Sequence, residues 1–151
     1  MKIAENGTFF VHATQQEVLA LVTDPEFLAR TLPDSKGYRV TGADSAVVDM
    51  LIGVSHIKGT MPTTLAILSR DAETPLTVRV TAQGLGSRVD MTLTFQLQEQ
   101  PEGTQVNWSS DAMISGVLAS VGSGLLRPLA KRNFDGIVTA IQEAIEAAYR
   151  H

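Results

Sequence analysis

Apolar and polar side chains alternate strictly through three consecutive segments in the second half of the sequence. The apolar positions are Leu76, Val78, Val80 and Ala82, then Val89, Met91, Leu93, Phe95 and Leu97, then Val106, Trp108 and Ala112. Strict alternation gives each segment one buried face and one wet face, which is typical of an antiparallel sheet. Such a sheet has a large apolar face, so another element of the chain must cover it.

The residues before these segments predict one strand, two short helices and three more strands. Thr14 and Glu17 form a capping box in front of a helix over residues 15–22. Pro25 stands at the first position of a second short helix, which ends at Leu32. The additional strands are predicted at residues 8–12, 38–42, 46–54 and 57–69.

After Ile114 the apolar period changes to three and four residues, which predicts a long helix with one apolar stripe. The stripe comprises Ala130, Phe134, Ile137, Ile141, Ile145 and Ala148. One long helix is a natural cover for the apolar face of a sheet. The sequence therefore predicts one α+β domain over residues 1–151. In it, a curved seven-stranded antiparallel sheet wraps around the C-terminal helix, and two short helices follow the first strand.

A single helix leaves space against a strongly curved sheet, so we expect a cavity for an apolar ligand between them. The candidate lining residues are Met50, Ile52, Leu65, Ile67, Val78, Val80, Met91, Leu93, Phe95, Val106, Trp108 and Ala112 from the sheet, and Leu118, Val121, Leu125 and Leu129 from the final segment. Methionine side chains suit an adaptable apolar pocket. The alternative is that the same residues form an ordinary filled core.

The segment from Ile114 to Phe134 is apolar in its first half and basic in its second. Its uncharged run, residues 112–126, is shorter than the roughly 20 residues of a membrane-spanning helix. Pro128 disfavours a straight helix, so we expect an apolar flap that gates the cavity. The predicted hinge residues are Gly116, Gly122, Gly124 and Pro128, and the predicted contacts with an anionic membrane surface or an acidic partner are Arg127, Lys131 and Arg132. The alternative is a kinked core helix with a solvated basic turn.

Composition narrows the class of function. The net charge is −4, whereas nucleic-acid binding requires a basic surface, so no nucleic-acid partner is expected. The chain has no cysteine, which excludes disulfides and thiol catalysis. His12, His56 and His151 lack metal-ligand spacing, and no acid–base pair is evident. We therefore expect no metal, no catalytic residue and no enzymatic activity. The N-terminal residues do not form a signal peptide, so we expect a cytoplasmic protein.

Three stretches carry a resemblance to a known family. They are VTDPEFLARTLP (Val22 to Pro33), GTMPTTLAI (Gly59 to Ile67) and ISGVLASVGSGLLRPLAKRNF (Ile114 to Phe134). With the order of elements, they resemble the CoxG family of carbon monoxide dehydrogenase subunits, within the START/polyketide-cyclase-like helix-grip superfamily. The matching residues are Asp24, Pro25, Glu26, Leu32, Pro33, Gly116 and Gly122. The chain has Asp34 and Ser35 where many members have Gly and Cys.

The resemblance implies a non-enzymatic accessory protein that binds a hydrophobic small molecule. The implied ligand is a quinone or a lipid, with no covalently bound cofactor. The implied partner is a molybdenum-containing carbon monoxide dehydrogenase-like enzyme, recruited to the cytoplasmic face of the inner membrane. Two alternatives are a cyclase or hydratase that uses polar groups in the same cavity, and a docking protein with a filled core.

Overall fold

The computed structural model describes residues 1–69 and 75–149. Seven strands form one antiparallel sheet in the order β1-β7-β6-β5-β4-β3-β2. The strands are β1 Lys2–Val11, β2 Ser35–Gly42, β3 Ser45–Val54, β4 Ile57–Ile67, β5 Leu76–Gly84, β6 Ser87–Gln100 and β7 Gly103–Gly116. The helices are α1 Gln15–Val22, α2 Pro25–Thr31, α3 Val117–Ser120 and α4 Ser123–Ala148. This architecture confirms the predicted α+β fold, with two short helices after the first strand and a long C-terminal helix.

The two short helices begin where their capping residues predict. The backbone N–H of Glu17 donates to Thr14 Oγ1 at 3.1 Å, and the N–H of Thr14 donates to Glu17 Oε1 at 2.8 Å. This reciprocal pair satisfies two backbone donors that the first turn of α1 cannot satisfy itself. At α2 the N–H of Glu26 donates to Asp24 Oδ1 at 3.0 Å, and Pro25 occupies the first position.

Strand β1 begins at Lys2, six residues before the predicted start at Thr8. Its inner face carries Glu5 and Gly7 between the apolar residues, so the alternation is interrupted there. Gly7 pairs with Trp108, and a Cβ at Gly7 would lie 2.9 Å from the indole Nε1. The glycine is therefore a packing requirement of the strand, not a strand breaker.

The final segment forms two helices, which corrects the prediction of one long helix after Ile114. The chain breaks at Val121 and Gly122, so the break includes the predicted hinge residue Gly122, whereas Gly124 and Pro128 lie inside α4. Gly122 has φ 92° and ψ 156°, a conformation that is essentially restricted to glycine. The break therefore falls at the residue that tolerates it best.

Helix α4 lies along β1, where polar contacts hold both of its ends. Near its start the Arg127 guanidinium donates from Nη2 to the carbonyl oxygen of Lys2 at 3.1 Å. Further along, Gln142 Nε2 donates to the carbonyl oxygen of Phe10 at 2.8 Å. Near its end, Glu146 Oε1 lies 3.0 Å from His12 Nδ1. These contacts fix the helix against one edge of the sheet.

The buried apolar residues form two clusters. The larger joins the sheet to α1, α2 and α4 and includes Val18, Phe27, Phe134 and Ile145. The smaller contains Ile57, Met61 and Leu118, with half-buried residues such as Val89 and Ile114 packed against it. The inner face of the sheet is thus not covered by one continuous core.

Candidate ligand cavity

A cavity of about 250 Å³ lies between the two clusters, and residues of both line it. The sheet and α4 form most of its walls, with α2 and α3 completing them. The predicted residues that line it are Met50, Ile52, Leu65, Val78, Val80, Met91, Leu93, Phe95, Ala112 and Leu118. Each of the strand residues in this set belongs to the inward row that alternation identifies.

Several predicted residues lie elsewhere. Trp108 is buried behind the cavity wall, because its indole stacks on Phe134 with ring centroids 5.8 Å apart, and Phe134 itself lines the cavity. Ile67 and Val106 belong to the larger core cluster, and Val121 packs against the smaller one. Leu125 and Leu129 do not line the cavity.

The position of Leu125 and Leu129 follows from the phase of α4. Successive helix residues are rotated by about 100°. The inner stripe passes through Leu126, Ala130 and Phe134, so Leu125 and Leu129 are turned one position away from it. Leu125 is accordingly 47% exposed. The apolar stripe in the sequence already points to Leu126, four residues before Ala130.

The cavity also uses residues that the sequence did not single out for it. Helix α2 contributes Leu28, Thr31 and Leu32, and α4 contributes Asn133. The apolar spacing of α2 was visible in the sequence, but its position against the sheet opening was not. The sequence did not indicate a binding role for Asn133, because single polar residues are common on helices.

The described lining residues include no side chain that titrates. Three are polar: Thr31, Thr63 and Asn133. The Thr31 hydroxyl donates to the carbonyl oxygen of Leu28 at 3.0 Å, and the Thr63 hydroxyl donates to that of Met61 at 3.2 Å. Asn133 is exposed, whereas the other lining residues are buried or half-buried. The interior is therefore almost entirely apolar, with one free polar side chain at its boundary with solvent.

Charged groups are located on other surfaces. Arg88 Nε donates to Asp90 Oδ2 at 2.8 Å on the outer face of β6, and this bond lowers the pKa of the Asp90 carboxyl. His56 is exposed in the turn between β3 and β4, and His12 lies beside Glu146. His151 is outside the described residues. Within residues 1–69 and 75–149, no group of histidine and acidic side chains is arranged to hold a metal ion.

Helix α3 forms one wall of the cavity and is attached to the turn between β5 and β6. The N–H of Val117 donates to the carbonyl oxygen of Gly86 at 3.0 Å, and the N–H of Leu118 donates to Ser87 Oγ at 2.9 Å. The Leu118 side chain is buried and lines the cavity. Of the predicted hinge residues, Gly116 and Gly122 flank α3, with φ of 84° and 92°. Gly124 and Pro128 lie within α4.

The three predicted basic contact residues lie on α4 and are exposed. Arg127 donates to the carbonyl of Lys2, and Lys131 and Arg132 follow one turn later. Two exposed apolar side chains, Val117 and Leu125, belong to α3 and the first turn of α4. Of the helices in the described parts of the chain, none has the length and apolar character needed to cross a membrane.

A seven-stranded sheet wrapped around one long helix, with an apolar cavity between them, defines the helix-grip arrangement of START/polyketide-cyclase-like proteins. A conserved protein from Geobacillus kaustophilus is similar, with a TM-score of 0.82, 22% identity and coverage of 98% of this chain and 97% of that one. A START superfamily protein from Mycobacterium smegmatis has a TM-score of 0.71 and 14% identity, over 97% of this chain and 99% of that one. The Zhui aromatase/cyclase from Streptomyces sp. R1128 has a TM-score of 0.68 and 16% identity, over 97% and 94%.

The sequence comparison identifies the family. Residues 7–146 match the CoxG family, which is described as a subunit of carbon monoxide dehydrogenase. The chain therefore belongs to the CoxG family, as its DPE and LP residues and its late glycines indicated. No curated protein matches the chain in sequence.

Proposed function

We propose that this protein is a non-enzymatic accessory protein that holds a hydrophobic molecule, a quinone or a lipid, in the cavity between sheet and helix. The observation that carries the proposal is the cavity of about 250 Å³ with its almost wholly apolar lining. Apolar pockets with few polar groups are typical small-molecule sites. The family name, which refers to carbon monoxide dehydrogenase, supports the second part of the proposal. We infer that the partner is a molybdenum-containing enzyme of that kind.

The described lining gives no support to the cyclase or hydratase alternative. General acid–base catalysis needs a side chain that exchanges protons within hydrogen-bond reach of the substrate. The polar lining residues Thr31, Thr63 and Asn133 do not exchange protons near neutral pH. The open cavity also argues against the second alternative, a docking protein with a filled core.

Native mass spectrometry of the protein purified from its own host tests the proposal. We expect an apolar molecule to remain bound and to be released under denaturing conditions. In the emptied protein, adding a naphthoquinone should quench the fluorescence of Trp108, the chain's single tryptophan, because its indole stacks on the cavity-lining Phe134. Absence of both a copurifying lipophile and any quinone-dependent quenching would refute the proposal.

We further propose that the protein works in the cytoplasm and contacts an anionic membrane surface through Arg127, Lys131 and Arg132. The support is their exposure on one segment of α4, which begins with the exposed apolar Leu125 and follows α3 with the exposed Val117. Basic residues beside an anionic surface contribute about 1 kcal/mol each. An apolar edge flanked by cations is a common arrangement for peripheral membrane binding.

Sedimentation with phosphatidylcholine vesicles, with and without phosphatidylserine, tests the membrane contact. The double variant Lys131→Glu and Arg132→Glu should lose binding to the anionic vesicles by about 30-fold or more, because two favourable contributions become unfavourable. The matched control is Lys36→Glu with Arg39→Glu, two exposed residues on the edge strand β2. Equal binding by the two double variants would exclude the α4 surface.

A further inference from the structure

The lining of the cavity restricts the charge of what it holds. No described lining residue carries a charge, and the nearest walls are aliphatic, aromatic or thioether side chains. Burying an unpaired carboxylate or ammonium in such surroundings costs far more than burying a neutral polar group. The part of the ligand inside the cavity must therefore be uncharged.

The polar lining residues are not equivalent. The hydroxyl hydrogens of Thr31 and Thr63 are used within the chain, because each is donated to a nearby backbone carbonyl. The amide of Asn133 makes no hydrogen bond with any residue in the described parts of the chain. An asparagine amide offers two N–H donors and one carbonyl acceptor. Asn133 is thus the lining side chain with donors available to a ligand.

The position of Asn133 supports a binding role. It lies on α4 beside Phe134, and Ala130 and Ile137 on either side of it along the helix also line the cavity. It alone among the described lining residues is exposed, so this residue lies where the cavity meets solvent. Asparagine is also a weaker helix former than alanine or leucine, so helix propensity does not account for its presence in α4.

Resting on the proposed function, we propose that Asn133 is the hydrogen-bonding anchor for the polar end of the ligand. The cavity then selects molecules with an uncharged apolar body and one carbonyl or hydroxyl group at the end that meets solvent. The body fills the space between the two core clusters, and the polar end stays at the boundary with solvent, on the side of α4. The polar contact that distinguishes ligands of the same shape is therefore made by α4.

Three probes with one bicyclic skeleton test this inference by calorimetry on the emptied full chain: tetralin, 1-tetralone and 1-tetralone-6-carboxylate, whose charge lies on the ring remote from the ketone and would be buried in the cavity. We expect the wild type to bind the ketone most tightly and to bind the carboxylate at least tenfold more weakly than the ketone. Asn133→Leu should weaken the binding of 1-tetralone by about three- to tenfold, which corresponds to one neutral hydrogen bond. The same variant should bind tetralin as tightly as the wild type, or more tightly. Thr139→Leu, at an exposed α4 position that does not line the cavity, is the matched control and should change neither affinity.

A second variant separates hydrogen bonding from shape. An ionised aspartate accepts hydrogen bonds but does not donate them. Asn133→Asp should therefore weaken the binding of the ketone, which can only accept a hydrogen bond. The same variant should retain affinity for the matching alcohol, 1-tetralol, which can donate one. A purely structural role for Asn133 would change both ligands equally.

The outcomes separate this inference from the proposed function. If the wild type binds tetralin and Asn133→Leu changes the affinities for tetralin and 1-tetralone equally, Asn133 is not the anchor, while the apolar cavity remains a binding site. Carboxylate binding as tight as ketone binding would overturn the selection for an uncharged body. No binding of any probe to the wild type would overturn the inference together with the ligand-binding function on which it rests.

Discussion

Gly116 and Gly122 lie on either side of α3. Substituting each of them gives a matched test of whether this helix is needed as a wall of the cavity. Both have backbone conformations that are essentially restricted to glycine, with φ of 84° and 92°. A Cβ at Gly116 would overlap the carbonyl oxygen of Gly86, whereas a Cβ at Gly122 would have no atom within 4 Å. The two alanine variants therefore share a torsional cost and differ in the collision.

The expected losses follow from these two terms. A non-glycine residue in such a conformation costs about 1–3 kcal/mol, which is the whole expected loss for Gly122→Ala. In Gly116→Ala the collision also displaces α3, so the hydrogen bonds from Val117 to Gly86 and from Leu118 to Ser87 are lost. Each contributes about 1 kcal/mol, so the total loss should reach about 3–5 kcal/mol. At about 2–4 °C for each kcal/mol, the melting temperature of Gly116→Ala should fall about 6–20 °C below that of the wild type.

Urea denaturation followed by circular dichroism measures both losses of stability. Calorimetry with 1-tetralone measures the affinity of the cavity for the probe, and so tests whether α3 is needed as a wall. Gly116→Ala should bind the probe more weakly, because Leu118 leaves its place in the lining, while folded Gly122→Ala should bind it like the wild type. Equal free energies of unfolding for the two variants would refute the steric argument. Unchanged probe affinity in Gly116→Ala would show that α3 is not a necessary wall.

Three further predictions concern stability. Ser110 Oγ is buried with no hydrogen-bond partner among the described residues, so Ser110→Ala should raise the free energy of unfolding by about 1 kcal/mol, measured by thermal melting. Thr14→Ala removes the cap of α1 and should cost about 0.5–2 kcal/mol in urea denaturation, and unchanged stability would contradict the capping argument. The hydrogen bond from Arg88 lowers the folded-state pKa of Asp90 below 3.8, so its contribution is present above that pH and is lost as pH falls below it. Asp90→Asn should therefore lose less stability than the wild type on acidification through this range, and identical acid profiles would refute it.

The fold could be predicted from the sequence where side-chain pattern and burial agree. In β5 and β6 the inward positions are apolar over most of the strand, and in β7 they are apolar except at Thr104 and Ser110, so alternation located these strands. It failed at the start of β1, where Glu5 and Gly7 face inward. The glycine there is explained only by Trp108 on the neighbouring strand, a long-range contact that periodicity does not contain.

The cavity was predictable as a row of strand residues but not as a shape. Alternation indicates which side chains point inward, and it does not indicate which of them reach empty space. Trp108 points inward, yet Phe134 stacks on it from α4 and takes its place in the wall. The contribution of α2 depends on where that helix packs, and the availability of the Asn133 amide depends on the hydrogen bonds of its neighbours. Neither property is encoded in local spacing.

The cavity itself has an energetic consequence. Empty apolar volume costs about 24 cal/mol per Å³ in a well-studied lysozyme series, so a dry space of 250 Å³ would cost about 6 kcal/mol. That is comparable to the about 5–15 kcal/mol that stabilises a typical domain. Contacts elsewhere in the fold, including those of the two core clusters and between α4 and β1, must offset this cost. A ligand present at about 100 times its dissociation constant would raise the free energy of unfolding by about 2.7 kcal/mol. The occupied protein should consequently melt about 5–11 °C above the emptied one. Identical melting temperatures before and after extraction of apolar molecules would mean that the space is not maintained by a ligand.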